Sequence, residues 1–211
     1  VADLDRVAVR DVWAPSRREL VERTPTPQRG VNYSDLARLV LERASTAREG
    51  VELIGRLIEK HGYATYGGNT HLIADPDEGW VVWEFAGGEG LWVAERLGSD
   101  DVRVLYPGYI EEVPLDYRQN PNYAGSENLV SFAEKQGWYD RKGKETLDVF
   151  TVYGTQGERA RNGNFKYLSP GHVEKILHRE GRARQRAEEA ILPVEPAVGH
   201  EGAERIVHAC S

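Results

Sequence analysis

The sequence predicts an α+β fold in which two helices lie against an antiparallel sheet. Four β-like runs, residues 70–75, 80–86, 91–97 and 101–106, are separated only by short turns at Pro76 to Gly79, Gly87 to Gly90 and Gly98 to Asp100. Connections this short join antiparallel neighbours, because a parallel crossover takes about a dozen residues or more. Two amphipathic stretches precede this meander, each with apolar residues at three- and four-residue steps. Trp80, Val82 and Glu84 share one face of the second strand, and Val81, Trp83 and Phe85 share the other, so both faces of the sheet call for cover.

In the first helix Leu36, Leu39, Val40 and Ala44 make the apolar stripe, with Ser34 as the expected N-cap. The second opens on Thr46-Ala47-Arg48-Glu49, a capping box, buries Val51, Ile54, Leu57 and Ile58, and stops at Gly62. After the meander, Tyr106-Pro107-Gly108-Tyr109 and Asp116 to Tyr123 form an aromatic, proline-punctuated excursion that suits either a peptide pocket or plain turns. Residues 126–136 return to helix with Leu129, Val130 and Ala133 inward and Gly137 as the stop, and 148–153 form a short apolar segment. Ser169-Pro170 begins a further helix with Val173, Ile176 and Leu177. Beyond Gly181 the chain turns charged and is broken by Pro193, Pro196 and Gly199. The expected organisation is therefore one domain over 1–180 and a loosely attached tail over 181–211.

Composition narrows the function classes. With 211 residues, 40% hydrophobic, five Trp and ten Tyr, the chain has the means to bury a core. A formal charge of −7 argues against a nucleic-acid binder, since the only basic cluster, Arg179 to Arg186, is interleaved with Glu180, Glu188 and Glu189. No apolar run approaches the roughly 20 residues that span a bilayer, and no signal-peptide core opens the chain, so a soluble, cytoplasmic protein without membrane partners is expected. The single cysteine, Cys210, forms no intrachain disulfide, and no Cys/His spacing suggests zinc, so neither metal nor cofactor is expected.

The chemistry-bearing stretch is Tyr66-Gly67-Gly68-Asn69-Thr70-His71, a glycine-rich lead-in that delivers an amide to a strand mouth. An amide there suits an oxyanion donor in acyl transfer; an Asn beside glycines is also a common turn cap. Glu84, on a strand interior between Trp83 and Phe85, suits a substrate amine or an arginine partner such as Arg96. His71 suits either a structural hydrogen-bonded residue or a base.

The segments Asn32 to Ala44, Ser45 to Gly62, Tyr66 to Ala86, Gly90 to Leu97 and Ser126 to Ala133, in this order and spacing, resemble the dipeptidase A and secernin family of cysteine peptidases, within the N-terminal-nucleophile hydrolases. The resemblance covers most of residues 5 to 170. It implies a partial four-layer αββα sandwich, with the antiparallel meander flanked by helices. It implies a cysteine-type dipeptidase that hydrolyses dipeptides or small amides through an acyl-enzyme, with Asn69 as oxyanion donor and Glu84 and His71 binding substrate. Such enzymes carry a cysteine at the mature N-terminus, whereas this chain begins Val1-Ala2-Asp3 and holds its one cysteine at Cys210, a position with no base nearby in sequence. The expectation is thus a hydrolase chain without its nucleophile segment. The alternatives are a non-catalytic binding or assembly subunit, or an inactive truncated product. Missing core strands would leave the meander an open edge, which favours a homo-oligomer or a partner chain.

Overall fold

Strand pairing runs from the first described residues onward in the computed structural model, which describes residues 7–65, 67–98, 101, 103, 110 and 112–155. The elements in chain order are β1 (Ala8–Trp13), α1 (Arg18–Val21), β2 (Val31–Asn32), α2 (Tyr33–Arg43), α3 (Ala47–His61), β3 (Tyr63–Ala64), β4 (Gly68–Ala74), β5 (Gly79–Phe85), β6 (Trp92–Leu97), β7 (Glu112–Pro114), β8 (Tyr123–Gly125), α4 (Leu129–Lys135), β9 (Thr146–Asp148) and α5 (Val149–Tyr153). Five strands form one antiparallel sheet in the order β1-β4-β5-β6-β8. The fold is α+β.

The meander expected from the short turns is β4-β5-β6. The strand beside β6 is β8, and of the run expected at 101–106 only Asp101 and Arg103 are described. β1 takes the edge of β4 that the sequence reading left open. Its residues are half-buried or exposed throughout, so it carries none of the bulky alternation that marks β5.

The helical pair covers one face. Leu36 and Val40 of α2, and Val51, Ile54 and Ile58 of α3, pack on Ile73, Trp80, Val82, Trp92 and Ala94. Gly55 lets α3 lie flush on the sheet, since a Cβ there would stand 2.2 Å from the Trp92 ring. The expected capping residues act as a cap: Thr46 Oγ1 accepts from Glu49 N at 3.1 Å, and the Glu49 carboxylate accepts from Ser45 N, one residue before the N-cap, at 2.8 Å. Gly62 ends α3 with φ +85°. For α2 the cap is Asn32, whose side chain accepts from Asp35 N at 2.9 Å; Ser34 already lies inside the helix. Leu57 is half-buried, at the margin of the face. Buried Asp75 joins the hairpin turn to this layer by accepting from Ala47 N at 2.6 Å, and from Asp77 N and Glu78 N at 2.8 and 2.9 Å.

On the other face Leu72, Val81, Trp83, Phe85 and Val93 meet Leu20 of α1, Leu129, Phe132 and Ala133 of α4, Val149, Val152 and Tyr153 of α5, and the β7-β9 ribbon through Val113 and Leu147. Phe85 stacks obliquely on Trp83 and on Tyr153, each at 4.7 Å between ring centroids. The Tyr106 to Tyr109 loop, the helix after Ser169, the basic cluster, the 181–211 tail and Cys210 lie outside the described residues.

Candidate active site

Register decides which side chains meet. β4 places Asn69 opposite Trp13 of β1 and Glu84 of β5, and His71 opposite Asp11 and Val82. Alternation then puts Asp11, Asn69, His71 and Glu84 on the helix-facing side of three adjacent strands. At this end of the sheet a cavity of about 530 Å³ is lined by Asp11, Val12, Trp13, Tyr33, Thr65, Gly68 and Asn69.

Asn69 is delivered by a braced lead-in. Gln28 clamps the Thr65 backbone reciprocally, its Oε1 accepting from Thr65 N at 2.7 Å and its Nε2 donating to Thr65 O at 2.9 Å. Thr65 Oγ1 in turn accepts from Gly67 N and Gly68 N at 3.2 and 2.9 Å. Gly68 has φ +118°, and a Cβ there would stand 2.6 Å from Ala14 O and 2.7 Å from Ser16 Oγ, so only glycine fits. Asn69 follows as the second residue of β4, paired on both sides and 3% exposed, which removes the turn-cap alternative. Its Nδ2 donates to Asp11 Oδ2 at 3.4 Å, a long bond that leaves the other amide hydrogen for a ligand.

Beneath the cavity, His71 and Glu84 are both 0% exposed, with His71 Nδ1 2.7 Å from Glu84 Oε1 and His71 Nε2 3.1 Å from Tyr33 O. A carbonyl only accepts, so Nε2 carries a hydrogen. The short Nδ1 to Oε1 contact then needs a hydrogen of its own, either on a His71 cation or on a neutral Glu84 carboxyl. The pair therefore holds one proton beyond neutral His71 and ionised Glu84, and is neutral as a unit. Burial pulls the His71 pKa down, but the Glu84 charge and hydrogen bond, with Asp11 and the Tyr33 carbonyl, raise it above the ordinary value; burial raises Glu84 as well. Tyr63, pushed well up by burial and by the Glu84 charge, faces the same carboxylate. Glu84 Oε2 has no hydrogen-bond partner among the described residues.

The expected site residues thus separate into two levels. Asn69 lines the cavity, whereas His71 and Glu84 are fully buried outside its lining, joined to one another through Nδ1 and Oε1. Arg96 is not the Glu84 partner: Trp92 stands opposite Glu84, Arg96 is four residues along the strand, and it bonds Glu78 at 2.6 Å. Sequence reasoning missed Asp11, Tyr33, Thr65 and Gln28. Nothing local marks Asp11, on a strand whose residues are half-buried or exposed, or Gln28 as the clamp on Thr65.

The model of peptidase family C69 matches residues 14–170. The chain belongs to that family. Among curated relatives it is 34% identical over 138 residues to a probable dipeptidase of Salmonella dublin, covering 64% of this chain and 30% of that protein. It is 26% identical over 170 residues to a probable dipeptidase of Latilactobacillus sakei, with 77% and 34% covered. It is 30% identical over 122 residues to dipeptidase A of Lactobacillus helveticus, with 57% and 25% covered. The chain spans about a third or less of the length of these relatives. The C69 match takes in Asn69, His71 and Glu84 and starts just after β1, so Asp11 stands ahead of it. Among the described residues no group of three His, Cys, Asp or Glu side chains is placed to hold a metal ion, and no helix is long and apolar enough to cross a membrane.

Proposed function

We propose that this C69 chain supplies the oxyanion side of a cysteine-type dipeptidase site, acting on dipeptides or small amides through an acyl-enzyme. The observation that carries the reading is Asn69: a buried strand residue aimed into a cavity, held by a braced glycine lead-in, with an amide hydrogen to spare. In this role the amide donates to the oxygen that gains charge as the thiolate adds to the scissile carbonyl, and preorganisation makes the bond strongest in the transition state. His71 and Glu84 serve binding by position, fixing the first residue of α2 against β4 through the Tyr33 carbonyl while Tyr33 walls the cavity. Cys210 follows the family-matched span, and the reading does not assign it as the nucleophile. The test is steady-state hydrolysis of dipeptides by the complete protein that carries these residues. Asn69→Ala lowers kcat by roughly two to three orders of magnitude with the melting temperature little changed, the effect of losing one oxyanion donor. Unchanged kcat would remove Asn69 from the chemistry.

A further inference from the structure

We propose that the cavity between β1 and α2 is a subsite for a primary ammonium group, the free α-amine of a small peptide, with the Asp11 carboxylate as its counter-ion. This rests on the dipeptidase reading for the identity of the ligand. The recognition chemistry stands on the cavity itself.

Asp11 is the one carboxylate among the described lining residues, it is exposed, and its only hydrogen bond among the described residues is the 3.4 Å contact from Asn69 Nδ2. The second carboxylate on this face, Glu84, is sealed beneath the cavity and balanced by the proton it shares with His71. Among the described residues, the charge presented to a ligand is therefore the single negative charge of Asp11, and the described lining holds no Lys, Arg or His to neutralise it. Trp13 and Tyr33 contribute aromatic walls, which favour a cation over an anion. One carboxylate without a second or third ligand beside it suits a monocation with three hydrogens to donate, rather than a divalent metal ion. A volume of about 530 Å³ lies within the range of small-molecule sites. Asn69 sits next to Asp11, so an ammonium at Asp11 places the amide carbonyl a few atoms further along a peptide within reach of Asn69. Asp11 would thus select substrates with an unblocked N-terminus.

The test is an NMR titration of the 211-residue chain with L-alanyl-L-alanine and with its N-acetylated form, following the Trp13 indole and the Asn69 side-chain amide. The dipeptide is expected to bind saturably and shift both signals. Acetylation, and separately Asp11→Asn with its amide spectrum otherwise retained, should each weaken binding about five- to tenfold. Equal affinity for the acetylated peptide, unchanged affinity in Asp11→Asn, or no saturable shift of either signal would each overturn the proposal. The measurement needs no turnover. Dipeptide binding with the expected pattern, alongside a complete protein in which Asn69→Ala leaves kcat intact, would keep the ammonium subsite and sink the oxyanion reading.

Discussion

The two faces of the five-stranded sheet are made by the same strands but differ in what they bury. The face toward α4 and α5 is apolar from Leu72 through Val81, Trp83, Phe85 and Val93, and closes on aromatic stacking. The face toward α2 and α3 begins the same way, with Ile73, Trp80, Val82 and Ala94, but gives way at one end to Asn69, His71 and Glu84, with Asp11 on the edge strand. The polar end lies where β4 leaves the Thr65–Gly68 lead-in and where α2 begins, so backbone carbonyls and glycine amides are at hand to partner buried polar groups. The lesson is that one face carries stability while the end of the other carries a charge arrangement, and the two should respond differently to substitution and to pH.

The largest expected effect is on the apolar face. Trp83→Ala should cost about 3–5 kcal/mol by opening a cavity, with the same loss at pH 6 and pH 8, measured by denaturant unfolding. A loss that changes with pH would mean that the two faces are not independent.

The next effect belongs to the polar end. His71 and Glu84 are both raised, so the folded pair keeps a proton that the unfolded chain releases above the ordinary histidine value of 6.5. The stability this proton confers is complete below that pH and is lost as pH rises through the folded value. Above pH 6.5 the unfolding free energy should fall by up to about 1.4 kcal/mol per pH unit until the pair deprotonates. A flat profile from pH 6 to 8 would contradict the one-proton pair.

The smallest effect is the most selective. In Glu84→Gln the introduced amide donates to Nδ1 of a neutral His71, whose Nε2–H still meets the Tyr33 carbonyl. Stability at pH 6 should change by less than about 1.5 kcal/mol, and the fall above pH 6.5 should disappear. Persistence of the fall in this variant would place its source elsewhere.

Much of the frame was legible in the sequence because local signals set it. The turn after Asp75 fixes β4 on β5, the capping box and Gly62 bound α3, and Gly67-Gly68 mark the delivery of Asn69. The His71–Glu84 pair was not legible, because the two are diagonal neighbours across β4 and β5 and only the register brings them together. The attraction between Glu84 and Arg96 read from sequence ignored their separation of four residues along the strands, roughly 13 Å. β1 was missed because an exposed edge strand needs no bulky alternation, and with it went Asp11. The family resemblance was legible from the order of several weak segments, and the match over residues 14–170 bears it out.

The central claim is that a single proton is held between His71 and Glu84 under Asn69, and nitrogen-15 NMR of the His71 imidazole tests it most directly. Nε2 should remain protonated across pH 5 to 8, and Nδ1 should keep the shift of a nitrogen hydrogen-bonded through a shared proton above pH 6.5. An imidazole that titrates near 6.5 to a neutral ring with a bare Nδ1 beside an ionised Glu84 would contradict it.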